Sequence, residues 1–310
     1  MLSVEHLSKT FRSGFFSHSD IHAVRDVSFH LKGEEILGIL GESGCGKTTL
    51  GKMLVRLLDP TSGTITVGNT TITRLHGKAL YRFWPRLQMV FQDPRASLNP
   101  RMKIIDSLLE GLKISGKITD EKAEIHGILK KLNIREEILY RYPHEVSGGE
   151  IQRIVIARAL SAKPALIVAD EPTSNLDLSV QAQILNLLKS LHHEYSVPCI
   201  LISHDIDIVR WMCDRVAVMF KGRIIEEGNV DEVLHVPLHP YTRALIGTQK
   251  NDDPIPDTLV SHEQFHKPVI PGCPYADRCR YVIDQCLKHE SPLIGNGHRV
   301  ACHRMTICDN

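Results

Sequence analysis

Apolar positions along the chain follow two rhythms. Ile36–Leu40, Gln88–Phe91, Ala165–Ala169, Cys199–Ser203 and Arg215–Phe220 are short, largely apolar runs bounded by polar or glycine-containing segments. Runs of this length, apolar on both faces, predict strands buried in a mostly parallel sheet. Between them, Thr48–Leu58 and Leu178–His193 carry apolar residues at helical spacing. Val4–Leu7, Ala23–Leu31 and Thr64–Val67 predict further strands. From Asp93 to about Leu160 the pattern turns helical, with Ile104–Leu112, Asp120–Leu132 and Glu150–Leu160 predicting helices inserted between strands. Alternation of buried strands and helices implies an α/β core. The expected organisation is a core over 1–235, with a helical subdomain at about 93–160, and a distinct segment over 236–310. The second segment begins at the proline-containing VPLHPYTRAL, and NDDPIPDT within it reads as a linker.

Charge narrows the partners. A net charge of +1 leaves no global basic field for nucleic acid or an anionic membrane surface. No apolar run approaches the roughly 20 residues needed to cross a bilayer. The opening MLSVEHLSKTF has no basic-then-apolar signal pattern and reads as a first strand. The expectation is a soluble cytoplasmic protein, any membrane-spanning part belonging to other chains.

The cysteines matter through their placement. Of eight, Cys45, Cys199 and Cys213 are scattered, whereas Cys273, Cys279, Cys286, Cys302 and Cys308 crowd the last part of the chain. In a cytosolic protein such crowding points to metal binding rather than to a disulfide framework.

Chemistry enters with GESGCGKTT (Gly41–Thr49), which follows an apolar strand and opens a helix. It fits G-x-x-x-x-G-K-[ST], a loop whose backbone N–H groups cradle nucleotide phosphates. Gly41, Gly44 and Gly46 permit the tight backbone, with Glu42, Ser43 and Cys45 supplying the intervening amides. Lys47 is expected to reach the β and γ phosphates, Thr48 to place its hydroxyl on Mg²⁺, and Thr49 to add a second contact. Beside Lys47 at a helix N-terminus, Cys45 is expected to have a lowered pKa and raised reactivity. LIVADEP (Leu166–Pro172) delivers Asp170 and Glu171 to the end of a buried strand, where ligands sit in open α/β sheets. Asp170 suits the Mg²⁺ shell, and Glu171 has the place of a base for an attacking water. VSGGE (Val146–Glu150) puts Ser147, Gly148 and Gly149 at a helix N-terminus, a second anion site. It lies far along the chain from the first glycine loop and makes sense as a cover for nucleotide held by another subunit.

In this order the motifs resemble the nucleotide-binding subunits of ATP-binding cassette (ABC) transporters, over nearly the whole chain. The resemblance implies a P-loop NTPase cassette: a RecA-like core, an antiparallel β subdomain and a helical subdomain, here with a C-terminal cysteine-containing extension. It implies that Gln92 of FQD contacts Mg²⁺ and the attacking water, that His204 after CILIS holds the γ-phosphate, and that Asp177 of SNLD lies on a dimer seam. An aromatic residue after the first strand stacks on adenine in that family; Phe11 fits best, with Phe15 and Phe16 as competitors. Two positions depart from the family's usual pattern, Glu150 where glutamine is usual and Asn175 where alanine is frequent.

FQDPRASLNPRM, RYPHEVSGGEIQRIVIARAL, LDLSVQAQIL and VPLHPYTRAL are similar to the dipeptide, oligopeptide and nickel importer branch, and within it to the subunit conventionally called F. That implies an ATP-hydrolysing subunit on the cytoplasmic face of the membrane, paired with a related D subunit. Its other expected partners are two permeases and, indirectly, an extracytoplasmic solute-binding protein; nucleic acid is not among them. The tail is also similar to that branch, whose members hold a [4Fe–4S] cluster, implying Cys273, Cys279, Cys286 and Cys302 as ligands. Thiolates also suit zinc. Rival readings are a soluble ABC ATPase of DNA maintenance, a non-hydrolysing regulatory subunit and an exporter half.

Overall fold

Burial of strands on both faces organises the molecule. The computed structural model describes residues 1–13, 19–115, 121–174, 176–250 and 271–305. The chain opens with β1 (Leu2–Ser13), β2 (Ser19–Leu31), β3 (Ile36–Leu40), helix α1 (Lys47–Leu54), β4 (Ser62–Val67) and the short β5 (Thr70–Thr71). Then come α2 (Gly77–Phe83), β6 (Leu87–Val90), α3 (Ile104–Ser115), α4 (Glu121–Lys131), α5 (Gly148–Ser161) and β7 (Leu166–Asp170). The next elements are α6 (Leu178–Tyr195), β8 (Cys199–Ser203), α7 (Ile206–Met212), β9 (Arg215–Phe220), β10 (Arg223–Asn229) and α8 (Val230–His235). Last are α9 (Pro240–Lys250), α10 (Asp284–Lys288) and β11 (Arg299–Val300).

These strands form a seven-stranded mixed sheet, ordered β11-β10-β9-β3-β8-β7-β6, and a four-stranded sheet, β2-β1-β4-β5. The strands from β9 to β6 run parallel, β10 is antiparallel to β9, and β11 is antiparallel to β10. The second sheet is antiparallel throughout. Side chains of the large sheet alternate strictly between two cores. Leu37, Ile39, Val168, Ile200, Ile202, Ala217 and Met219 join the core beneath the four-stranded sheet. Ile36, Leu40, Ile167, Ala169, Leu201, Val216 and Val218 join the core on the helical side, with α3, α5 and α6. That two-sided burial is why the strands read as continuous apolar runs.

Helix α1 lies on the four-stranded side, with Leu50, Met53 and Leu54 in that core. It ends at Leu54 rather than the predicted Leu58. Arg56 takes φ of 56° and buries its guanidinium against the Ile72 carbonyl and Asp59, which takes the chain out of the helix. The end of the chain is tied back by carboxylates that a hydropathy reading treats as surface. Glu226 in β10 is fully buried and accepts hydrogen bonds from the Leu238 and His239 amides at 2.7 and 2.9 Å. It also meets the His298 ring at 2.7 Å. Its neighbour Glu227 pairs with Arg215 and Arg299, and Glu290 pairs with Arg25 and Arg223. Such buried charges persist only because each is paired.

Candidate active site

The glycine loop joins β3 to α1 and leaves the helix's first amides uncapped. Gly46 occupies the N-cap position with no side-chain cap, and no acidic residue lies in the first turn. Those N–H groups remain available to an anion. Close backbone approach enforces the glycines: a Cβ on Gly46 would sit 2.2 Å from the Ala23 carbonyl oxygen, and one on Gly41 2.2 Å from that of Met219. Lys47, only 6% exposed, curls over the loop and donates to the Gly41 and Glu42 carbonyls at 2.6 and 2.8 Å. Asp170 ends β7 hydrogen-bonded to Thr48, and burial pushes its carboxyl above the usual range, with the Glu171 charge adding to the rise.

Cys45 corrects the expectation of an activated thiol. It is buried in the apolar core, and desolvation raises its pKa, outweighing the lowering by Lys47. The sequence placed it beside a cation, but not beneath the loop.

Three side chains widely separated in sequence meet at the sheet's C-terminal edge. Because β8, β7 and β6 are neighbours, the residues following them, His204, Glu171 and Gln92, converge. Gln92 Nε2 donates to one oxygen of Glu171 at 2.9 Å, and His204 Nδ1 lies 2.9 Å from the other. Glu171 takes φ of 46°, a conformation strained for a non-glycine residue, and its amide donates to the Ile202 carbonyl at 2.9 Å. The Ser174 hydroxyl lies 3.0 Å from the Glu171 carbonyl and 3.2 Å from that of Gln92, tying the two loops together. Arg95 donates to the Val146 carbonyl at 3.0 Å, linking the loop after Gln92 to VSGGE. Sequence reasoning singles out neither Ser174 nor Arg95; a lone serine or arginine in a loop carries no periodic signal.

Ser147 caps α5 in a reciprocal box with Glu150. The hydroxyl of Ser147 donates to the Glu150 carboxylate at 2.6 Å, and the Ser147 amide lies 3.2 Å from the same oxygen. These bonds from Ser147, with Arg135 nearby, pull the Glu150 pKa below the usual carboxylate range. The side chain that departs from the family pattern is thus held by its own helix. A Cβ on Gly149 would meet Val180 at 2.7 Å, so glycine lets α5 sit close on α6. Gly148 opens the helix beside it. Asp177 caps α6, accepting from the Val180 amide at 3.0 Å. Phe11 is 38% exposed on β1 with Lys9 over its ring, outside both cores. Phe15, Phe16, Asn175, the NDDPIPDT segment and Cys308 lie outside the described residues.

The four spaced cysteines come together. Cys273, Cys279, Cys286 and Cys302 line one cavity of about 20 Å³, next to Tyr275 and His303. All are free thiols. Burial raises Cys279 and pushes Cys273 up to about 11, with neighbouring cysteines contributing to the rise in both. His303 turns its Nε2 to the His289 carbonyl at 2.8 Å. Among the described residues, no three His, Cys, Asp or Glu side chains converge closely enough to hold a single metal ion.

Comparison with known proteins agrees with this architecture. Residues 24–174 match the ABC transporter family, and residues 225–286 match the C-terminal region of oligopeptide/dipeptide transporters. The oligopeptide transport ATP-binding protein OppF of Streptococcus mutans is 42% identical over 86% of this chain and 86% of its own length. A probable peptide ABC transporter ATP-binding protein of Sinorhizobium fredii is 44% identical over 98% of this chain and 89% of its own. Among solved structures, the dimeric ABC cassette MJ0796, in a post-hydrolysis state bound to ADP and Pi, superimposes with a TM-score of 0.67 at 27% identity. That match covers 74% of this chain and 99% of the cassette. The chain belongs to the ATP-binding protein family of ABC transporters, with the C-terminal region of the oligopeptide/dipeptide type. Among the described residues no helix is long and apolar enough to cross a membrane.

Proposed function

We propose that this chain hydrolyses ATP to energise uptake of peptides, or of a related solute such as a nickel complex, through partner permease subunits. It works at the cytoplasmic face of the membrane, paired with an unlike second cassette of the D type, while a solute-binding protein outside delivers cargo. The observation that carries this reading is Glu171 clasped between Gln92 and His204, in a chain bearing an oligopeptide-type extension. A DNA-maintenance role has no comparable support: the insertion between β6 and β7 is a compact set of helices, and the net charge is +1.

The residues divide the work. Lys47 exchanges the Gly41 and Glu42 carbonyls for the β and γ phosphates, and the uncapped amides of α1 take the remaining phosphate charge. Phe11 offers its exposed ring to adenine. Thr48, Gln92 and Asp170 would hold Mg²⁺, which would supply neutralisation of phosphate charge. Glu171 accepts a proton from water as the water oxygen attacks the γ phosphorus and the bond to ADP breaks. Gln92 and His204 keep that carboxylate aimed. Ser147, Gly148 and Gly149, with Asp177 on the seam, face the partner's nucleotide.

The four thiols lining this cavity supply the donor type of a [4Fe–4S] cluster, which is the reading we favour for them. The donors are all sulfur, they line one void, and burial without a metal opposes the thiolate form at Cys273 and Cys279. Such a cluster, when bound, would cross-link a segment poor in large apolar residues. Anaerobic purification should give iron and sulfide in near-equal amounts, lost on serine substitution at any of the four positions. Stoichiometric zinc without sulfide would overturn the cluster. For transport, the assembled complex in proteoliposomes should couple ATP hydrolysis to peptide uptake. Hydrolysis unlinked to uptake of peptide or nickel complex would refute the reading.

A further inference from the structure

We infer that Tyr241, in the C-terminal extension, is a positioning residue for the glycine loop of the ATP site, with Arg278 as a second hold. The Glu42 amide donates to the Tyr241 hydroxyl at 3.0 Å. The carbonyl of the same residue receives Lys47 Nζ. Tyr241 therefore pins one side of the unit whose other side parks the phosphate-binding lysine.

The ring that carries this hydroxyl is itself held firmly. Tyr241 is 1% exposed, with its ring centre 4.4 Å from that of Phe220 and 5.5 Å from that of Tyr275. Its amide donates to His239 Nδ1 at 3.0 Å, and the His239 amide is bonded to the buried Glu226. Packing alone would be served by phenylalanine; a buried hydroxyl costs desolvation unless a partner repays it. The partner here is a loop amide that has no helix or strand to satisfy it. Arg278 approaches the Glu42 carboxylate at 3.6 Å from the turn that precedes Cys279. A further tether runs from the Gly222 amide to the Cys45 carbonyl at 2.9 Å, while the adjacent Lys221 reaches the Pro274 carbonyl at 3.1 Å. The extension thus grips the loop from below, where it preorganises amides that would otherwise reorder on binding phosphate.

The inference rests on the glycine loop being the nucleotide site, so Lys47→Ala is measured alongside. In the full-length chain, Tyr241→Phe should weaken MgATP binding by about 3- to 10-fold, the size of one ordinary hydrogen bond. In the assembled complex it should raise KM for ATP while leaving kcat unchanged. Hydrogen exchange should accelerate in the segment Gly41–Thr49 but not in Cys199–Ser203. Arg278→Gln should weaken binding less, with an effect that shrinks as salt rises. Wild-type affinity in Tyr241→Phe, with Lys47→Ala impaired, overturns the positioning role alone. Exchange accelerated equally in both segments overturns it too, since that reports general destabilisation. Unimpaired binding in Lys47→Ala would overturn the site itself.

Discussion

Replacing Glu171 with glutamine separates chemistry from architecture at this site. The amide is nearly isosteric with the carboxylate and can keep both of its contacts. Its oxygen can accept from Gln92 Nε2, and its NH₂ can donate to His204 Nδ1 in the tautomer protonated at Nε2; both wild-type distances are 2.9 Å. The strained φ of 46° is unchanged by the substitution, so thermal stability should move by less than about 1 kcal/mol. On the proposed mechanism, what disappears is the proton acceptor. A positioned general base contributes roughly 10²- to 10⁴-fold, or about 3–5 kcal/mol of the barrier. Turnover of the assembled complex should fall by that factor while MgATP affinity stays near wild type. The ATP-loaded dimer should then accumulate and become visible by size-exclusion chromatography. Lys47→Ala should show the opposite division, with binding lost first. Turnover of Glu171→Gln within threefold of wild type would refute the assignment of Glu171 as the base.

Further outcomes follow from the electrostatics of three residues. Burial raises the Asp170 pKa, so its charged form costs stability once pH rises through the folded value; Asp170→Asn should raise the thermal midpoint of the nucleotide-free protein at pH 7 but not at pH 3. The same variant should lose Mg²⁺-dependent turnover, which a steady-state assay reads directly. Alkylation of Cys45 at neutral pH, followed by mass spectrometry, should run more than about tenfold slower than that of free cysteine, because burial suppresses the thiolate. The Ser147 hydroxyl is committed to Glu150, whose pKa is lowered, so this cap is present above the ordinary carboxylate range and fails as pH falls through the depressed value. At neutral pH, Glu150→Gln should loosen the hold on Ser147 and tighten ATP-driven dimerisation by about two- to tenfold, measured by sedimentation, the scale of about one modest hydrogen bond.

Much of the parallel core is legible in the apolar runs themselves. Cys199–Ser203, Ile36–Leu40 and Arg215–Phe220 form strands over the predicted residues, because strands buried on both faces must be apolar throughout. The glycine loop is equally legible, since the need for small residues beside the Ala23 and Met219 carbonyls is written as glycine. Helices α2, α7, α8 and α9 escape the periodicity; they are short or carry polar residues on much of their surface. Strand β10 escapes it too, because Glu226 and Glu227 look like surface charges until their partners are seen.

Residue order alone dictates which chemical groups the chain carries to each strand end: Gln92 after β6, Glu171 after β7, His204 after β8, and four cysteines at spaced positions in the extension. That these groups meet is a property of the tertiary fold. Strand order is set by long-range packing, and it makes β6, β7 and β8 neighbours although helical segments separate them along the chain. Depth of burial is decided the same way, which is why Cys45 sits beneath the loop with a raised pKa. Tyr241 reaches the Glu42 amide for a like reason: Glu226 anchors the start of α9 against the core, and no local pattern in VPLHPYTRAL encodes where that anchor lies.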